Sequence, residues 1–189
     1  MLLHLLLFIG VSTSFAQNTV PMLLPAPATR LEIFAARKNA TITTETYFVT
    51  RLPADSGCNI RLQAIITYEA GRENEQVRGL KVEMSEIQRT KEERVTISYI
   101  DLDEFAPLLN GLNAMLEMTQ RGTFLANPVS KETSFSTRGG LTFTMLQKDT
   151  ERQLRITSVL QPESLCTISR EASIVELKTS IEKVLQSFK

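Results

Sequence analysis

Histidine is all but missing from this 189-residue chain, tryptophan is missing altogether, and cysteine occurs only twice. The single histidine, His4, lies in an apolar N-terminal run, so a chain that loses that run has none. Serine hydrolases of the Ser-His-Asp type and Cys-His proteases need an imidazole to move protons near neutral pH, and most catalytic zinc sites need at least one imidazole ligand. Residues 17–189 can build none of them. Gly-x-Ser-x-Gly, a phosphate-cradling glycine-rich loop and Cys-x-x-Cys are also absent. The lack of tryptophan disfavours an aromatic platform for sugars. Charge of one sign is lacking too: 21 basic residues balance 21 acidic ones. A chain that binds by neutralising phosphates carries a basic excess, so no nucleic acid is expected as a partner.

Long apolar runs are absent beyond the start. Leu2–Val11 is apolar apart from His4 and spans about ten residues, whereas a helix needs roughly 20 to cross a bilayer. Ser14 and Ala16 supply the small-x-small pattern of a signal-peptidase site, so residues 1–16 read as a signal peptide cleaved after Ala16. No Lys or Arg precedes the run, and no cysteine follows it until Cys58, which leaves no lipid-attachment site. The expected product is secreted or periplasmic, with no stable membrane span. Pro21, Pro25 and Pro27 mark residues 17–29 as an extended leader, and 30–189 is of the size of one domain. In an oxidising compartment Cys58 and Cys166 suggest one disulfide; the alternative is two buried thiols acting as small hydrophobes.

What remains patterns as strands and two helices. The first expected strand is Leu31–Arg37. Thr41–Arg51 is rich in Thr, Tyr, Phe and Val, and Asn59–Glu69, Val77–Ile87 and Arg94–Ile100 follow across polar turns. The period then changes: Leu102, Phe105, Leu108, Leu109, Leu112, Met115 and Leu116 share one helix face, with Asp101 and Glu104 spaced as a capping box. Lys131–Arg138 and Leu141–Gln147 flank a Gly139-Gly140 hairpin turn. Gln153–Leu160 and Leu165–Ser169 come next, then a helix expected to start at Ser173 with Glu176 as its capping partner. The fold class predicted is α+β: two antiparallel β-meanders, each followed by one amphipathic helix, in the order β5-α-β4-α.

That doubled strand-then-helix layout is similar to the plant Whirly single-stranded-DNA-binding proteins, although the basic, lysine-bearing motif of those proteins is absent and layout does not imply function. Three short segments carry a closer likeness. Thr29-Arg30-Leu31-Glu32-Ile33-Phe34-Ala35-Ala36-Arg37, Tyr99-Ile100-Asp101-Leu102-Asp103-Glu104 and Thr137-Arg138-Gly139-Gly140 resemble stretches of a group of uncharacterised exported bacterial proteins. The resemblance implies an exported α+β domain and brings no activity, cofactor or site residue with it.

The available chemistry is that of carboxylates. Asp101-Leu102-Asp103-Glu104 places three acids within four residues. They suit a calcium site, an acid/base pair, or the acidic first turn of a helix on a solvated turn, and the last is expected because the spacing matches no calcium loop. Arg89, Lys91 and Arg94 suit an anion patch, which Glu92 and Glu93 offset into an ordinary charged hairpin tip. Phe34, Tyr47, Phe48, Tyr68, Tyr99, Phe105, Phe135 and Phe143 either fill the core, the expected case, or line an apolar pocket. Asn39-Ala40-Thr41 is an N-glycosylation sequon, relevant to a eukaryotic host. No catalytic, cofactor-binding or metal residues are assigned and no enzyme activity or cofactor is expected. The expected role is a non-enzymatic binding module for a protein partner or an apolar small molecule. A structural envelope-associated protein and a carboxylate-dependent hydrolase are the alternatives.

Overall fold

The computed structural model of the chain describes residues 28–55, 57–87, 93–118, 130–148, 151–161 and 164–189. The expected signal peptide and nearly all of the expected leader lie outside them. The elements are α1 (Arg30–Ala35), β1 (Ile42–Pro53), β2 (Cys58–Glu69), β3 (Arg72–Ile87), β4 (Glu93–Asp101), a single 3-10 turn (Leu102–Glu104), α2 (Phe105–Met118), β5 (Lys131–Ser136), β6 (Leu141–Lys148), β7 (Glu151–Ser158), β8 (Leu165–Ile168) and α3 (Glu171–Ser187). The strands form two four-stranded antiparallel meanders, β1-β2-β3-β4 and β5-β6-β7-β8. The protein is therefore α+β.

Alternation in the sequence sets the inner faces. Ile60, Leu62 and Ala64 of β2 stand opposite Met84, Val82 and Leu80 of β3, and all six are buried. Leu141, Phe143 and Met145 do the same for the second sheet. Residues two apart share a face of a strand, so one register places every apolar member inward. Both inner faces belong to one core with Phe105, Leu108, Leu112 and Met115 of α2 and Ile174, Leu177, Ile181 and Val184 of α3. Each of these side chains contributes about 1.5–3 kcal/mol on burial.

The order of elements departs from β5-α-β4-α at its first member. Leu31–Arg37, expected as a strand, lies in the helix α1 and the residues just after it. Thr29 and Glu32 form a reciprocal capping box: the Glu32 N–H donates to Thr29 Oγ1 at 3.2 Å and the Thr29 N–H donates to Glu32 Oε2 at 2.8 Å. Leu31 and Phe34, three apart, are buried together on one side, while Ile33 between them is 60% exposed. The Leu31-Ile33-Ala35 alternation that suggests a strand is thus incidental, and the 3-residue spacing of Leu31 and Phe34 decides. At the other end, α3 starts at Glu171 behind Arg170, so Ser173 and Glu176 fall inside the helix and do not cap it.

Cys58 at the start of β2 and Cys166 in β8 are joined by a disulfide, with their Cα atoms 5.5 Å apart. Alongside it the Asp55 N–H donates to the Thr167 carbonyl at 2.8 Å, and the Ser169 N–H donates to Asp55 Oδ2 at 2.5 Å. One corner of the two-sheet assembly is therefore closed covalently and by hydrogen bonds. The bridge spans a sequence separation of 108 residues, for which the chain-entropy account gives roughly 4–5 kcal/mol. The double variant Cys58→Ala, Cys166→Ala is expected to lose about 2–5 kcal/mol in urea unfolding monitored by circular dichroism; an unchanged midpoint would show that the bridge contributes nothing.

Candidate functional site

Of the three acids expected on a solvated turn, Asp101 and Glu104 are instead buried at the centre of a polar junction, and Asp103 stays at its solvated rim. Asp101 ends β4 with its side chain 1% exposed. Its Oδ2 accepts from the Arg30 N–H at 2.8 Å and from Arg138 Nη1 at 2.7 Å, and its Oδ1 accepts from the Leu31 N–H at 3.2 Å. A carboxylate thus satisfies two of the free N–H groups at the start of α1, where the helix dipole favours negative charge. Glu104 is buried beside it. Its Oε2 accepts from the Asp101 N–H at 3.2 Å and its Oε1 from the Arg138 N–H at 2.6 Å. Asp103, the outermost acid, pairs with Arg138 Nη2 and Arg30 Nη2, each at 3.3 Å. The hydrogen bond and charge of Asp103 hold the Arg138 guanidinium above its ordinary pKa, with smaller help from Glu104 and Asp101.

Two glycines let backbones close on this junction. A Cβ on Gly139 would overlap the Tyr99 carbonyl and press on Thr29 Cγ2; one on Gly79 would overlap the Ile100 carbonyl and Leu31 Cδ1. The Thr29–Arg37, Tyr99–Glu104 and Thr137–Gly140 segments therefore meet at one point. Both oxygens of Asp101 and both of Glu104 accept bonds from backbone N–H groups or from Arg138. All four oxygens are thus engaged and the arrangement works as a clasp, with Asp101 and Asp103 also bordering an open cleft of about 380 Å³ beside Arg30, Asn74 and Arg78. Among the described residues no group of His, Cys, Asp and Glu is disposed to hold a metal. Asp101→Ala strands the α1 N–H groups and Arg138, and is expected to cost at least about 3 kcal/mol in chemical denaturation; a loss under 1 kcal/mol would refute the clasp.

A second feature lies on the opposite side of the first sheet from the core. There α1 crosses the sheet and leaves an open, mainly apolar groove of about 370 Å³, lined by Leu31, Ala35, Ala36, Thr44, Ile65 and Tyr99 among others. Thr44 belongs to β1, which has β2 on one side and, among the described residues, no strand on the other. Further along the same strand Tyr47 is 52% exposed and Phe48 67% exposed. They adjoin a β-bulge between Phe48 and Thr50 and point to opposite faces. Tyr47 lies opposite Ala64 on the inner-face row, beyond the cover of the core, and Phe48 lies opposite Gln63 on the outer face.

Glu45 links two tyrosines at the uncovered end of the inner face. The Tyr47 hydroxyl donates to Glu45 Oε2 at 2.6 Å, and the Tyr68 hydroxyl donates to Oε1 at 3.0 Å. These bonds hold the Glu45 carboxyl below its usual range and raise both phenols, first through the hydrogen bond and then by its charge and partial desolvation. Of the other aromatics, Phe105 and Phe143 are buried in the core, Phe34 is buried beneath α1 and Phe135 is partly buried. The expectation of an aromatic core therefore fails at Tyr47 and Phe48. The signal for this was weak: Thr43-Thr44-Glu45-Thr46 gives β1 no apolar alternation to bury.

The remaining candidates contribute less. Arg89 and Lys91 lie outside the described residues, and Arg94 sits on β4. Asn39 occupies an exposed turn at φ 61°. A more polar cleft of about 460 Å³ is bordered by Leu116, Met145, Arg152, Gln153, Ser169 and Glu171. No helix among the described residues is long and apolar enough to cross a membrane. Neither a protein-family model nor a curated protein nor a solved structure matches the chain, so its function is read from geometry.

The Glu45 link gives a spectroscopic test. Raised phenol pKa values mean that the bonds stabilise the protonated tyrosines below their unfolded pKa and are lost as pH rises through the folded one. Glu45→Gln is expected to return the titrations of Tyr47 and Tyr68, followed by ultraviolet absorbance, toward the ordinary value near 10. Tyr99, raised chiefly by burial, should not move. Identical titration curves for the variant and the parent would remove the Glu45 link.

Proposed function

We propose that this is a non-enzymatic, exported interaction module that receives a protein partner on the free edge and outer face of its first sheet. The observation that carries this reading is the exposure of Tyr47 and Phe48, adjacent aromatics on an edge strand whose Thr44, on the same face as Phe48, borders an apolar groove. Water-exposed aromatic surface costs free energy that a partner recovers, and aromatic residues are enriched where proteins dock. The groove is open to solvent and bordered by Thr44 of the edge strand, which suits a protein segment better than an enclosed small molecule.

Two further points support the reading. The carboxylates that would serve a hydrolase are committed to the junction of α1, β4 and the β5–β6 turn. The Cys58–Cys166 disulfide fits an oxidising compartment, in keeping with the secretion signal read in residues 1–16. A photo-crosslinking amino acid at position 48 is expected to yield discrete protein adducts in the exporting host. The same probe at position 144, on the outer face of the second sheet, should yield none. Equal labelling from both positions, or none from either, would remove the docking surface.

A further inference from the structure

We infer that the partner at this edge is a second copy of the chain, with β1 pairing antiparallel to β1 of the other copy about a two-fold axis at Thr46. The inference rests on the docking surface proposed above and adds the occupant and its register. Backbone direction comes first. The Ala70 N–H donates to the Thr41 carbonyl at 2.9 Å, so residues 41 and 70 form a hydrogen-bonded pair. Antiparallel ladders alternate, and the register is regular from Ile42 to Phe48. Residues 43, 45 and 47 therefore spend their N–H and C=O groups on β2, while 44, 46 and 48 direct theirs to the free edge.

Side chains then select among registers. An axis at Glu45 sets two carboxylates directly opposite one another, which is destabilising. An axis at Tyr47 sets Glu45 against the bulged Val49. An axis at Thr46 sets Glu45 against Tyr47 of the other copy, twice, in the closely spaced non-hydrogen-bonded positions. That is the carboxylate–phenol pairing the strand already makes within itself at 2.6 Å. It also makes Thr46–Thr46 and both Thr44–Phe48 pairs hydrogen-bonded, using every outward N–H and C=O from 44 to 48.

The outer face fits the same axis. Thr44 forms the β1 rim of the apolar groove, and Phe48 projects from the same face four residues on, about 14 Å away at roughly 3.4 Å per residue. A two-fold axis midway exchanges the two, so each Phe48 meets the other copy's groove. Knob and hollow on one self-complementary patch are what an isologous dimer requires. Edge strands that avoid pairing carry lysine or proline. β1 carries no lysine, and its one proline, Pro53, and its bulge both lie beyond the paired stretch. Among the other edge strands, β5 exposes Glu132, Ser134 and Ser136 and no large apolar side chain, whereas β4 exposes Val95 and Ile97. A formal charge of zero imposes no net repulsion between copies.

The test is sedimentation equilibrium of the chain as secreted by its expression host, joined to disulfide trapping. A concentration-dependent dimer is expected. Thr46→Pro, which removes an edge-directed N–H and leaves the β2 ladder intact, and Phe48→Glu should each weaken it at least tenfold with the thermal midpoint of the monomer unchanged. Both native cysteines are bridged, so Thr46→Cys supplies one free thiol and should give a disulfide-linked dimer on oxidation, whereas Ser134→Cys should not. A dimer insensitive to both edge variants and untrapped through position 46 overturns the inference. A monomer at all soluble concentrations overturns it as well. If position 48 then still crosslinks to a different protein, the docking surface stands and only the occupant was wrong; if it crosslinks to nothing, both readings fall.

Discussion

The carboxylate of Asp101 is the constraint on which the arrangement of parts depends. It sits at the end of β4, where the first sheet gives way to α2, and it receives the first N–H groups of α1 and the guanidinium of Arg138 from the β5–β6 turn. Three segments far apart in sequence are thereby held to a single buried anion. An unpaired charge at such a depth would be costly, so each partner is obligatory once Asp101 is buried. Glu104 extends the logic by holding the backbone of Arg138 while its other oxygen returns to Asp101. The glycines at 79 and 139 follow from the same closeness, because a side chain at either would collide with a neighbouring carbonyl.

This junction closes one corner of the two-sheet assembly and the disulfide closes another. Between the two, the inner faces and both long helices share one apolar core. The corners differ in chemistry for a reason. At the disulfide corner, Cys58 and Cys166 are nearly fully buried among apolar side chains, and a neutral link adds no desolvation cost. At the junction a helix begins, and its unsatisfied N–H groups call for an anion. Acidic residues that look like chemistry in the sequence are thus explained by architecture, and the search for function moves to surfaces that the architecture leaves open.

The sheets were legible because apolar residues alternate cleanly over Ile60–Ala64, Leu80–Met84 and Leu141–Met145, and each apolar set has one face to occupy. Leu102–Leu116 was legible as a helix for the corresponding reason at a period near 3.6. The segment Leu31–Arg37 was not, since six helical residues are too few to show a period, and the same letters alternate well enough to suggest a strand. Its helical state depends on Asp101, seventy residues away, which no local pattern reveals. The burial of Asp101 was hidden likewise: its neighbours in sequence are a polar turn, and its neighbours in space are α1 and Arg138. The start of α3 misled in the opposite direction, with Ser173 and Glu176 offering a cap where the helix had already begun. Tyr47 and Phe48 lie in a stretch of β-forming residues whose letters do not say which faces are covered. Only the placement of α1 over the far rows of the sheet, and of the core under the near ones, leaves both aromatics outside.

That placement also separates a surface from an accident. A single exposed aromatic is ordinary. Two adjacent ones, directed to opposite faces at a strand edge, are harder to attribute to crowding, because a strand shows only one face to any one core. Tyr47 is tethered by its hydroxyl to Glu45, which fixes its orientation without hiding its ring. Phe48 has no polar handle and gains nothing from water. The bulge that follows it restarts the inward alternation, so that Leu52 enters the core. Without the bulge, Phe48 would share a face with Leu52 and turn inward, and the outer face of β1 would keep only Ile42 as a large apolar side chain. The irregularity in the strand is therefore what keeps Phe48 outside, and that links a backbone feature directly to the surface through which the chain is proposed to bind.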